Sequence, residues 1–174
     1  MTTSSAAWPL VLGALRDLLA ARPGYRLPTD TAPLGATTVY VGSQIVAAVE
    51  PGDWVLLGPG RDGEAAGSWR QGDDVVSARA RGIRTERGEI EVECGAMDGA
   101  PDPLVTLGRA FAALRGLELL VASDPTLGLV PGSSPLVRVG PPERGSVAWG
   151  DSERGSRCIV SAALPYMARI EGIT

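Results

Sequence analysis

The sequence predicts a single α+β domain over residues 1–174, a mostly antiparallel mixed sheet with two main helices packed on one face. Three observations carry this. Two stretches repeat apolar residues at helical spacing, several others alternate apolar with polar residues, and neither a repeat nor a linker divides the chain. A chain of 174 residues can bury one real core. Its 44% hydrophobic content and mean hydropathy of +0.10 suit a folded protein. Aromatics make up only 5%, with one Phe, so Ala, Val and Leu must build most of the interior.

Residues 8–22 read as the first helix. Trp8, Val11, Leu12, Leu15, Leu18 and Leu19 form a stripe, Arg16 and Asp17 fall off it, and Pro9 suits a first turn. Pro23-Gly24 ends it. An extended connection through Pro28, Pro33 and Gly35 leads to the β-branched run Thr37 to Val41, a strand. After a turn at Pro51-Gly52, Trp54 to Leu57 reads as a short buried strand. Residues 58–74 are Gly-rich and without periodicity, which predicts a long flexible loop.

A hairpin is predicted over 75–94. Val76, Ala78 and Ala80 alternate with Ser77, Arg79 and Arg81, Thr85-Glu86-Arg87-Gly88 reads as the turn, and Ile90, Val92 and Cys94 alternate with Glu89, Glu91 and Glu93. Keeping both apolar sets on one face puts Arg81 opposite Glu91 and Arg79 opposite Glu93. Asp102-Pro103 starts the second helix, an N-cap followed by proline. Leu104, Leu107, Phe111, Leu114, Leu117 and Val121 mark the face expected on the sheet, with Phe111 buried. Two closing strands follow. The first is centred on Val137 and Val139. In the second, Cys158, Val160, Ala162, Leu164, Tyr166, Ala168 and Ile170 share a face, and Pro165 predicts an edge strand or a bulge.

Charge and composition remove most chemistry. The net charge is −4, which gives no bulk attraction for nucleic acid or anionic lipid. All sixteen basic residues are Arg, spread along the chain without the clustering of a phosphate site. With no His, Ser-His-Asp triads and His-ligated metals are excluded. Cys94 and Cys158 lie in apolar runs and are expected as buried, reduced thiols. Gly58-Pro-Gly60-Arg-Asp-Gly63 fits a dinucleotide-loop pattern, but Glu64-Ala-Ala-Gly67-Ser-Trp69 brings no helical stripe to face a pyrophosphate. Neither Asp73-Asp74 nor the Glu89, Glu91 and Glu93 series has the surroundings of an acid–base or metal site. The expectation is a non-enzyme without cofactor or metal. The N-terminus lacks a basic signal-peptide region, and its apolar run is too short to span a bilayer, so no membrane role is expected and synthesis is placed in the host cytoplasm.

Several stretches resemble the tail-terminator (minor tail, tail-completion) proteins of long-tailed phages and gene-transfer particles. They are the Trp69 segment running into Val75 to Gly82, and Glu89-Ile-Glu-Val-Glu-Cys-Gly-Ala-Met97. The helix from Leu107 with its Asp124-Pro-Thr-Leu-Gly128 exit, and the closing run from Arg157 to Ala168-Arg169-Ile170, complete the likeness. The resemblance covers nearly the whole chain. It implies a structural protein of the virion tail: a ring of identical subunits, usually six, that caps the tail tube, ends its polymerisation and docks to the head–tail connector. The implied partners are therefore the chain itself, the tail tube protein and the connector. Two other readings stay open: another head–tail joining or tail-tube component, and a small intracellular binding domain with no virion role.

Assembly needs contact surfaces, and two groups of residues are candidates. Arg79 and Arg81 with Glu89, Glu91 and Glu93 are the candidate subunit interface, either pairing within their hairpin or facing a neighbouring subunit. Arg61, Asp62, Trp69 and Arg70, in the 58–74 segment, are the candidate assembly loop.

Overall fold

The computed structural model describes residues 7–30, 35–42, 52–58, 67–72, 83–99, 102–129, 136–152 and 155–171. In chain order these form α1 (Trp8–Ala20), β1 (Tyr25–Arg26), β2 (Thr37–Val41), β3 (Gly52–Leu57), β4 (Gly67–Gly72), β5 (Ile83–Asp98), α2 (Pro103–Ser123), β6 (Leu136–Val139), β7 (Glu143–Ser152) and β8 (Gly155–Glu171). One mixed sheet runs β1-β2-β3-β5-β8-β6, with β4 added beside β5 and β7 beside β8. Among the described strands, the β1-β2 and β2-β3 pairs are parallel and the rest antiparallel. The fold is α+β, as the alternation predicts.

The sheet is organised on β5 and β8, which pair over their whole lengths from Ile83↔Glu171 to Asp98↔Ser156. Alternation sets the faces. Ile90, Val92, Cys94 and Ala96 of β5, and Cys158, Val160, Ala162, Leu164, Tyr166 and Ala168 of β8, join one buried cluster with Val55 and Leu57 of β3 and with both helices. Val11, Leu12, Leu15 and Leu19 of α1 are buried in it, the stripe the sequence shows. Cys94 and Cys158 are buried and free.

Helix α2 begins where expected, with Asp102 accepting a hydrogen bond from the Leu104 amide at 2.9 Å. Its rotation differs from expectation. The buried residues are Thr106, Ala110, Ala113, Leu114, Leu117, Leu120 and Val121, whereas Phe111 is 44% and Leu104 69% exposed. Small residues set this phase. A Cβ at Gly116 would collide with the Tyr25 hydroxyl, so the helix lays its Ala and Gly positions inward and approaches closely. Leu104, Val105, Phe111 and Leu119 are turned out.

The hairpin predicted over 75–94 is not the one β5 makes. Thr85 to Gly88 lies inside β5, paired with β8 on one flank and with Gln71, Arg70 and Trp69 of β4 on the other. The 58–74 segment thus contains a strand from Gly67. The slot opposite Glu93 holds Leu56 on one flank and Ser161 on the other. At Glu91, Ala163 is the β8 partner and the Glu91 carbonyl accepts from the Gly58 amide at 2.8 Å. Both flanks are filled, so neither Arg81–Glu91 nor Arg79–Glu93 is a ladder pair. Arg79 and Arg81 themselves lie outside the described residues.

Strand β8 is central rather than an edge, despite Pro165. On its second flank β6 ends at Val139↔Tyr166 and β7 begins at Glu143↔Ala163. Gly140 donates its amide to the Pro165 carbonyl at 2.8 Å, and the chain then leaves the ladder through Pro141-Pro142. A strand residue directs its N–H and C=O to the same side, so the donor that proline lacks would have pointed into this gap. The neighbours break, not β8. Strand β7, not expected from the sequence, makes the second closing partner.

Candidate functional site

Two unlike surfaces lie at opposite ends of β8 and α2. At one end an open cleft of about 640 Å3 is bounded by the last turns of α2 (Glu118, Val121, Ala122), by Pro125, by Arg138 to Pro141 and by Pro165 to Met167, with Arg87 of β5 beside them. Its lining is largely apolar, and its size falls within the usual range of binding pockets.

The local chemistry builds this end firmly. The Asp124 carboxylate accepts from the Thr126 hydroxyl at 2.6 Å and amide at 3.0 Å, and from the Gly128 amide. The Thr126 hydroxyl and then the backbone amides hold the Asp124 carboxyl below its ordinary pKa. These bonds fix the turn in which Leu127 takes a φ of +55° and still buries its side chain. The Pro125 carbonyl accepts from the Val139 amide at 2.8 Å, which ties the helix exit to β6.

The register places a cationic row at the cleft. Arg70, Arg87, Met167 and Arg138 stand in line across β4, β5, β8 and β6. Arg87, Met167 and Arg138 are exposed, and neither Arg87 nor Arg138 has an acidic partner among the described residues. Glu118, at the cleft wall, is held by Arg115 at 2.9 Å.

The opposite end is apolar. Val147 and Trp149 are 42% and 53% exposed. They stand in register with the buried Val160 and Cys158, on the side of the sheet that carries the helices but where no helix covers them. Leu104 and Val105, also exposed, lie at the start of α2, whose Thr106 hydroxyl meets the Ser156 hydroxyl at 3.0 Å. Arg109 secures this end by ion pairs to Asp53 at 2.7 Å and to Asp98.

Of the residues singled out in the sequence, Glu89, Glu91 and Glu93 share the outer face of β5 and are half-buried. Trp69 and Arg70 are in β4, in register with Gly88 and Arg87. Arg61, Asp62, Arg79 and Arg81 lie outside the described residues. The structure therefore joins Arg70 to a row with Arg87 and Arg138, which sequence spacing could not show because the four strands come from distant parts of the chain.

The interior holds one polar cluster that sequence reading missed. Glu86 is fully buried and accepts from the amides of Ala7 at 3.0 Å and Trp8 at 3.1 Å and from the Tyr166 hydroxyl at 2.7 Å. Burial first, and then the hydrogen bond to Glu86 and its charge, raise the Tyr166 phenol well above its ordinary pKa. Glu86 itself is fully buried, and Tyr166 joins it to the wall of the cleft. Burial likewise pushes the Cys94 thiol up to about 12, with the Glu93 charge adding to it. Such a thiol stays protonated and unreactive at neutral pH.

Among the described residues no three His, Cys, Asp or Glu side chains gather as metal ligands, and no helix is long and apolar enough to cross a membrane. The first described element after Gly58-Pro-Gly60-Arg-Asp-Gly63 is β4, a strand rather than the helix a dinucleotide loop requires. Compared with the models of known protein families and with curated protein sequences, the chain matches none.

Proposed function

We propose that this protein is a non-enzymatic structural subunit of a bacteriophage-type tail, of the tail-terminator kind. In this reading it forms a ring that caps the tail tube, ends its polymerisation and presents a face to the head connector. The observation that carries the proposal is the number of large apolar side chains left outside. Leu104, Val105, Phe111 and Leu119 on α2, and Val147 and Trp149 on β7, are all 41% exposed or more. A small chain with a single Phe and few aromatics has turned its Phe and one of its Trp residues outward. Exposed apolar surface of this kind marks sites of assembly. The resemblance of the α2 helix, its Asp124-Pro-Thr-Leu-Gly128 exit and the closing Ala168-Arg169-Ile170 to tail terminators supplies the particular assembly.

Deleting the gene from the genome that carries it tests the proposal. Negative-stain electron microscopy should then show tails of uncontrolled length that fail to join heads, restored by the wild-type gene supplied in trans. Tails of normal length in the deletion would overturn it. The cleft of about 640 Å3 favours one other reading, a small intracellular binding domain. A rise in melting temperature with a small ligand, together with normal tails, would select that reading.

A further inference from the structure

We infer that Val147 and Trp149 of one copy seat in the Arg87–Arg138 cleft of a second copy, so that copies join head to tail. The inference rests on the ring proposed above and names its contact.

Three observations select a second copy as the occupant. The first is chemistry. The cleft is largely apolar and carries Arg87 and Arg138, while the exposed strand offers Val147 and Trp149. An indole suits both parts of the cleft, because a guanidinium binds the face of a Trp ring and the apolar wall takes its edge. The chain already uses this pairing inside itself, where the Arg157 guanidinium lies 5.5 Å from the Trp54 ring centre.

The second observation is distance. Trp149 is in register with Cys158, and the cleft lies at Pro165 to Met167 of the same strand. At ~3.3 Å per residue the far side of the cleft is about 30 Å from Trp149, so the strand cannot fill its own cleft. Helix α2 gives the same separation, since its first turn is at one end and its last turns line the other. The third is symmetry. Knob and cleft are different surfaces at opposite ends of one sheet, so a contact passed from each copy to the next is heterologous and can close as the proposed ring.

Sedimentation velocity on the full-length chain tests this with two variants. Trp149→Glu removes the knob and leaves the cleft; Arg87→Glu with Arg138→Glu does the reverse. All three positions are exposed, and unchanged melting curves will verify that both variants fold. Wild type should associate as concentration rises, and each variant should associate about tenfold or more weakly, the size expected for a central aromatic or Arg anchor. Mixed one to one, the variants should form a dimer that grows no further, because only one intact knob meets one intact cleft. Wild type that stays monomeric to about 1 mM, variants that associate like wild type, or a mixture without dimers would each overturn the contact. If the cleft holds a small apolar acid instead, decanoate will raise the melting temperature and Trp149→Glu will leave association unchanged, which also overturns it. Association through this contact with tails of normal length would remove the tail reading and leave the contact standing. Monomers with overlong tails would do the opposite.

Discussion

The two helices begin in opposite ways. Helix α2 is capped by its neighbour: Asp102 accepts from the Leu104 amide on the protein surface, two residues away. Helix α1 has no side-chain cap of its own, and its N-cap residue is Ala7. The first free amides, of Ala7 and Trp8, are instead satisfied by Glu86, a fully buried carboxylate on β5 that also receives the Tyr166 hydroxyl from β8. The requirement is the same in both places, since the early amides of a helix have no partner within it. The solutions differ in reach. A local cap stabilises one helix. The remote cap makes the start of α1, β5 and β8 depend on each other, and it places a negative group at the positive end of the helix.

The largest effect should come from Glu86→Ala, which leaves three donors, two of them buried, without an acceptor and should cost about 3–5 kcal/mol by urea unfolding. A loss below about 1 kcal/mol would mean that water or another group replaces the carboxylate, and the contrast between the caps would disappear. Tyr166→Phe keeps the ring and removes one donor, so about 1–2 kcal/mol should be lost in the same measurement. Asp102→Ala should cost about 1 kcal/mol, the ordinary value of an N-cap, and should act additively with Tyr166→Phe because the two sites share no partner.

The smallest effect sharpens the contrast by pH. Tyr166 has a raised folded pKa, so the native state keeps the phenolic proton at a pH where the unfolded chain, near 10.0, has released it. Its contribution is therefore fully present below about pH 10 and declines as pH rises above it. Cys94 acts in the same direction between its ordinary 9.0 and about 12. Wild type should lose stability in alkali, and Tyr166→Phe should lose less, by somewhat under ~1 kcal/mol at pH 10.5. Asp102→Ala should leave the alkaline slope as in wild type. Parallel slopes for wild type and Tyr166→Phe would count against a buried phenol.

What the sequence revealed follows the same division between local and distant. The α1 stripe, the Asp102-Pro103 start and the alternations through Cys94 and through Cys158 to Ala168 were legible because neighbouring residues settle them. The phase of α2 was not. Leu104 and Phe111 dominate its pattern on hydrophobicity, but Ala110, Ala113 and Gly116 decide which side approaches the sheet. Thr85 to Gly88 has turn composition and becomes strand because β4 and β8 both pair with it. Glu86 reads as part of a turn, and only the approach of α1 and Tyr166 gives it a task. The Arg87–Met167–Arg138 row was hidden for the same reason, since register across strands is absent from the spacing within any one of them.

The pairing of β5 with β8 also has a consequence for how the protein is made. The ladder joins residues 83–98 to 155–171, so its second half leaves the ribosome long after its first. Until then β5 is a long strand with one unpaired flank, and the Val92 and Cys94 side of it lacks the neighbours Ala162 and Val160 that complete the core. Such late, distant closure slows folding and leaves an adhesive edge on the nascent chain. The glutamates at 89, 91 and 93 lie along that strand, and by mutual repulsion they would keep two nascent copies of it from zipping together. In the assembly proposed above, charge that delays contact during synthesis would separate the time of folding from the time of assembly.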